Sequence, residues 1–177
     1  MAFSVSNFRA KGLPGGGARP NLFTVMISGV QAVSFPANHL FQCKIASIPP
    51  STMGVVEVPY YGRMVKVPGN RTFDNLSVTF INDEDFAIRN AMELWMNKMN
   101  SHVGNFSENP AGLHGELDVY QHGRDGSYEI GGGGWHFTNI FPVALGEIAL
   151  DWGSNDAIEE FTVDFAYDYW EHGTQTT

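Results

Sequence analysis

Six histidines, one cysteine and a few carboxylate pairs are the side chains from which this chain could build a reaction centre, and their spacing limits what each can do. His39, His102, His114, His122, His136 and His172 show neither the i, i+4 step of a helical metal site nor the i, i+2 step of a strand site. His114 and His122 lie in a loop-rich region and could meet by folding, but the cysteines that an intracellular zinc site would want are missing. Cys43 is alone, so it forms no internal disulfide. In "FQCKI" it shares a strand face with Phe41 and Ile45 and reads as a small buried hydrophobe. Glu159 and Glu160 are neighbours, which on a strand point to opposite faces and make no acid–base pair. "IGGGGW" and "GGGARPNLF" resemble phosphate cradles, yet both run into strand-like segments where a cradle needs a helix N-terminus. No G-x-S-x-G elbow occurs. The expectation is a chain without catalytic residues, cofactor or metal.

The elements that would position these groups are mostly strands. In "EEFTVDFAYDYWE", residues 159–171, Phe161, Val163, Phe165, Tyr167 and Tyr169 alternate with Glu160, Thr162, Asp164, Ala166 and Asp168, which predicts one strand with an aromatic ridge and an acidic face. "NLFTVMISG", "HLFQCKIASI", "TFDNLSVTFIN", "WHFTNIFP" and "LGEIALDW" read as further strands. Residues 54–68, "GVVEVPYYGRMVKVP" with the following glycine, read as a long hairpin turning at "PYYG", whose Pro59 and Pro68 forbid a deep position in a sheet. Between 84 and 100 the period changes. Ile88, Ala91, Met92, Trp95 and Met99 recur at helical steps, with Asp83, Glu84 and Asp85 placed where a helix start favours capping oxygens and negative charge. Residues 1–20 contain "GLPGGGARP" and read as a flexible N-terminal arm. Residues 104–134 read as a loop-rich segment with two short strands around Leu117–Tyr120 and Tyr128–Ile130. The sum is a single domain, mainly β: an antiparallel β-sandwich or barrel-like sheet with one packed α-helix and a projecting hairpin.

Composition narrows the function. At 177 residues the chain can bury one real core, and its 43% apolar and 16% charged residues leave fewer charges than an ordinary surface carries. A formal charge of −9 argues against a protein that grips nucleic acid through its phosphates. The N-terminus lacks the apolar core of a signal peptide, and no run of about 18 apolar residues is present, so the chain is expected to be made and kept in a cytoplasm. Val55, Val56, Tyr60, Tyr61 and Met64 on the hairpin either fold back on their own core or bury against another subunit, and the low charge content favours assembly.

Several blocks together resemble a known family. "ARPNLF", "FQCK", "GNRTFDNLSVTFINDED" and "GEIALDWGSNDAIEEFTVDFAYDYWE" are similar, in order, to the tail tube proteins of contractile-tailed bacteriophages, covering about Ala18 to Asp85 and Phe141 to Glu171. The glycine-rich arm and residues 104–134 depart from the pattern. The resemblance implies a virion structural subunit, assembled in the bacterial host cytoplasm, that forms six-membered rings stacking into a hollow tube through which DNA passes during ejection. It also implies partners: the tail sheath, the baseplate or another initiator, a tape-measure protein and a tail terminator. A secretion-system or bacteriocin tube is the nearest variant, and a monomeric carbohydrate-binding module using Trp135, Trp152 and Tyr169 is the reading from another class. Within the tube reading, the Phe161–Tyr169 ridge is expected to pack on the helix, with Glu160, Asp164 and Asp168 facing the bore or simply solvated. The hairpin and the arm are expected to make contacts between rings and neighbours.

Overall fold

Every second residue of two strands is removed from water, and those residues meet. The structure is a computed structural model that describes residues 4–13, 16–31, 33–37, 39–104, 106–107, 112–127 and 130–173. Among these described residues the strands are Phe23–Ser28 (β1), Cys43–Ser47 (β2), Ser51–Tyr60 (β3), Arg63–Phe73 (β4), Leu76–Ile81 (β5), Gly115–Gln121 (β6), Trp135–Leu145 (β7), Glu160–Ala166 (β8) and Tyr169–His172 (β9). Leu76, Val78 and Phe80 of β5 lie directly opposite Phe165, Val163 and Phe161 of β8, and all six are 2% exposed or less. Burying each such side chain contributes about 1.5–3 kcal/mol, so these cross-strand pairs anchor the fold.

Seven strands form one antiparallel sheet in the order β1-β6-β7-β8-β5-β2, with β9 also paired to β7. The sheet curls around its core without closing: β1 and β2 end the strand order, and β9 has β7 as its one partner among the described strands. The helix Ala87–Met99 covers the concave side with Ile88, Ala91, Met92 and Trp95, all buried as their spacing requires. Trp95 meets Phe165 at 6.3 Å and Phe35 at 5.7 Å between ring centroids, and its Nε1 donates to the Leu113 carbonyl at 2.6 Å. The aromatic ridge of β8 and the stripe of the helix therefore share one core. The chain is mainly β, sandwich-like, with one packed helix.

Several local expectations are corrected. The helix starts at Ala87, and its N-cap is Phe86 in the left-handed region at φ 51°; no acidic side chain caps it. Asp83 instead accepts from the Glu84 backbone N–H and from Gln42 Nε2, holding the turn before the helix. "HLFQCKIASI" is a helical turn, His39–Gln42, followed by β2. His39 accepts the Ile27 N–H at Nε2 and donates from Nδ1 to the Pro36 carbonyl, which ties that turn to β1 and leaves Phe41 84% exposed. Residues 146–159, including most of "LGEIALDW", form no strand: the Asp151 carboxylate accepts from the Gly153 N–H and the Ser154 hydroxyl, favouring a turn. The hairpin is longer than 54–68, running from Ser51 to Phe73. Val5–Gly12 of the arm is helical. Of the two short strands expected in 104–134, Leu117–Tyr120 lies within β6, whereas 128–129 fall outside the described residues.

The C-terminal strand is corrected most informatively. β8 and β9 follow one register along β7, with Phe141 opposite Ala166 and Thr138 opposite Tyr169, but the path breaks at Tyr167–Asp168. Opposite the break, Asn139 adopts φ 57°. The inward face changes parity there on both strands: Pro142 and Phe165 are buried above it, Phe137 and half-buried Trp170 below it. Tyr169 consequently leaves the ridge and is 44% exposed.

Candidate assembly surfaces

β3 and β4 pair only with each other, and every residue of β3 is exposed. The hairpin closes on Tyr61 (φ 44°) and Gly62 (φ 77°), the two left-handed residues that a tight right-twisting hairpin turn demands. Its register separates two faces. Val56 lies opposite Val67 and Val58 opposite Val65, giving four valines on one face, each 43–52% exposed, with Tyr60 at the tip. The other face carries Val55 opposite Pro68 and Pro59 opposite Met64, flanking a Glu57–Lys66 ion pair at 3.7 Å. Near the root, Gly54 and Gly69 let the two backbones approach so closely that a Cβ on Gly69 would stand 3.1 Å from the Gly54 carbonyl oxygen. Phe73 fastens the root to the body, with its ring 6.0 Å from Tyr167 and 6.4 Å from Trp170.

Of the five hairpin residues singled out in the sequence, Val56 and Tyr60 share the valine face, Val55 and Met64 lie on the opposite face, and Tyr61 is at the tip, 91% exposed. Val58, Val65 and Val67 were missed; the alternation V-x-V in "VVEV" and "MVKV" is the signal that would have found them. Beyond its root at Phe73 the hairpin stays exposed, and the five residues singled out do not fold back on the core. A free two-stranded hairpin is marginal in water. Covering the remaining exposed half of four valines would contribute about 3–6 kcal/mol before the cost of association.

The acidic face of β8 is less uniform than its sequence. Glu160 is paired with Lys44 of β2. The Thr162 hydroxyl shares a 3.0 Å hydrogen bond with the Thr79 hydroxyl of β5. Asp164 sits in a row of small residues, with Ser77 opposite on β5 and Ala144 opposite on β7. Asp168 accepts a 2.6 Å hydrogen bond from Asn139 Nδ2. Glu160 and Asp164 thus share a hydroxyl-rich outer face with Ser77, Thr79 and Thr162, while Asp168 stands at the strand break, engaged in holding it.

Among the described residues, burial raises the ranges of two titrating groups. Burial, opposed weakly by a hydrogen bond to the Ile45 carbonyl, pushes the Cys43 thiol up to about 12. The Tyr167 phenol, which donates to the Asp74 carbonyl at 2.6 Å, is pushed up to about 12 by burial first and the Asp74 carboxylate second. Trp135, Trp152 and Tyr169 form no common platform. Trp135 and Tyr169 point to opposite faces of the sheet, and Trp152 is fully exposed in the 146–159 loop. Among the described residues, no three His, Cys, Asp or Glu side chains converge as a metal site would require, and no helix is long and apolar enough to cross a membrane.

Comparisons with known proteins identify the family and match the fold. A family model described as phage tail tube protein matches residues 18–172. The tail tube protein gp19 of Enterobacteria phage T4 is 35% identical over 159 residues, covering 87% of this chain and 91% of that protein. The tube-terminating cap of the anti-feeding prophage has the same fold at a TM-score of 0.63 and 17% identity, covering 87% of this chain and 89% of that one. The sheath–tube complex of an extracellular contractile injection system matches at a TM-score of 0.54 and 18% identity, covering 97% of this chain and 99% of its own.

Proposed function

Since the chain belongs to the phage tail tube protein family, we propose that six copies close into a ring and that rings stack into a hollow tube, which conducts DNA during ejection inside a contractile sheath. The observation that carries this reading is the valine-faced hairpin, an apolar surface that its own subunit leaves uncovered. In a ring of repeated head-to-tail contacts, β1 and β2 can continue the sheet of a neighbour, which pairs their exposed edges. The hairpin then lies on an adjacent subunit or ring, and the N-terminal arm makes a second neighbour contact.

The hydroxyl-rich face bearing Glu160 and Asp164 is the one we assign to the bore, with Asp168 at its margin. Lys44 offsets the charge of Glu160, so Asp164 supplies the uncompensated negative charge of the strand face. At physiological salt its field reaches about 8 Å, enough to discourage phosphate adhesion locally and let DNA slide. The expected partners are the sheath, an initiating baseplate, a tape-measure protein and a terminator, with assembly in the host cytoplasm and residence in the virion. Negative-stain electron microscopy with light scattering over a concentration series tests the reading. Rings or tubes of uniform width support it; monomers at every concentration, with and without an initiating baseplate, overturn it.

A further inference from the structure

The molecule has two charged features of opposite sign at the two ends of β7. Near the start of β7, an open cavity of about 490 Å³ lies between the segment preceding β1 and the turn following β6, with Arg19, His122, Arg124 and Asp125 in its lining. Arg19 and Arg124 are exposed, and neither is paired with a carboxylate among the described residues. The Arg124 guanidinium lies against the backbone of Gly16, where a Cβ would stand 3.7 Å from Nη1. Asp125 forms no ion pair with either arginine among the described residues: its Oδ1 accepts the Ser127 N–H at 3.1 Å and the Ser127 hydroxyl at 2.7 Å, and these bonds hold its carboxyl below the usual range, so it stays charged and offsets only part of their positive charge. His122 shares a hydrogen bond with Thr24 at 2.7 Å. Two of only ten cationic residues in a chain of net charge −9 therefore converge on one opening.

At the other end, β7 runs into the 146–159 loop, which carries four carboxylates and no lysine or arginine. Asp151 is engaged by Gly153 and Ser154, and Glu159 accepts from Asn82 Nδ2 at 2.6 Å. Glu147 and Asp156 are exposed, among Leu150, Trp152 and Ile158, which are 84%, 101% and 70% exposed. Exposed apolar side chains framed by carboxylates are a contact surface for a surface of positive charge.

We propose that this loop of one copy docks at the Arg19–Arg124 cavity of the next, with Glu147 or Asp156 accepting hydrogen bonds from the guanidiniums. The proposal rests on the stacked-tube reading, because a head-to-tail contact between opposite ends of one chain propagates in stacks. Forked guanidinium donors match a carboxylate in geometry as well as charge. Nucleic acid is the poorer occupant: two arginines beside the Asp125 carboxylate lack the run of cations that phosphate chains need.

The test compares wild type with Arg19→Glu/Arg124→Glu, with Glu147→Lys/Asp156→Lys, and with all four changes in one chain. Stacking is followed by light scattering and electron microscopy, and folding by circular dichroism. The expected result is that each double variant folds but raises the concentration needed for stacking by about tenfold or more, and that the quadruple variant restores it. Wild type that stacks alongside an equally competent Arg19→Glu/Arg124→Glu variant overturns this contact and leaves the tube reading standing. Wild type that never assembles overturns both. Loss of stacking in the arginine variant alone, with the loop variant unaffected, overturns the loop as occupant. A single-stranded oligonucleotide that binds wild type but not the arginine variant, measured by fluorescence anisotropy, would assign the cavity to nucleic acid.

Discussion

Asn139 and Asp168 face each other across β7 and the gap between β8 and β9, with Asn139 Nδ2 donating to the Asp168 carboxylate at 2.6 Å. The Asp168 backbone N–H donates to the Thr138 carbonyl at 3.2 Å, so the break is held from both sides. This pair sits where both strands change which residues they send into the core. Below it, Phe137 is inward; above it, Ile140 and Pro142 are. Asparagine suits the position because it tolerates the left-handed backbone better than residues with bulkier or branched side chains.

Asn139→Ala should therefore lose both the hydrogen bond and the backbone compatibility, a destabilisation of about 1–2 kcal/mol. Asn139→Gly should lose the bond alone and cost less. Thermal melts check this, since about 1 kcal/mol shifts the midpoint by about 2–4 °C in a chain of this size. An alanine variant as stable as wild type would contradict the role given to the pair.

The valine face makes a prediction of a different kind. Val58→Asp/Val65→Asp alters residues that already face water in the single subunit, so its melting temperature should change little. Assembly should be lost, because carboxylates would be buried against a partner surface. Scattering that rises at the same protein concentration as wild type would show that the face is not covered.

Tyr167 gives a pH dependence. Its neutral phenol donates to the Asp74 carbonyl, and the folded state raises its pKa from about 10 to about 12. The contribution of this contact is complete below about pH 10 and is lost as pH rises through about 12. Tyr167→Phe should remove that part of the alkaline loss and lower neutral-pH stability by about 1 kcal/mol. Denaturant titrations at pH 8 and pH 11 measure both.

Cys43 should be slow to react. With its thiol pushed up to about 12, the thiolate is about one part in ten thousand at pH 8. A disulfide reagent should modify the native chain far more slowly than the unfolded one, and equal rates would contradict the burial that raises the pKa.

How far the sequence displayed this architecture depends on the type of signal. Leu76/Val78/Phe80 and Phe161/Val163/Phe165 were legible because each residue simply alternates between core and exterior. The Ile88–Trp95 stripe was legible for the same reason at helical period. The break at Tyr167–Asp168 was not, since the alternation continues through it and the change of face is imposed by Asn139 on another strand. The 146–159 loop misled because Ile148 and Leu150 imitate a strand, while Asp151 turns the chain using its own side chain. On the hairpin, the apolar residues were visible, but which of them share a face follows from the pairing of Val56 with Val67 and Val58 with Val65. The carboxylates of β8 were visible as a row, yet Lys44 and Asn139, remote in sequence, engage two of them.

Cryo-electron microscopy of assemblies grown from the full chain on an initiating baseplate, resolved well enough to trace strands, decides whether the subunits form a stacked tube. The expected reconstruction has six subunits per ring, stacked rings around an open bore, and the Val56, Val58, Val65 and Val67 face buried against a neighbouring subunit. A reconstruction without six-fold rings, or one in which that face projects into solvent, would contradict this expectation.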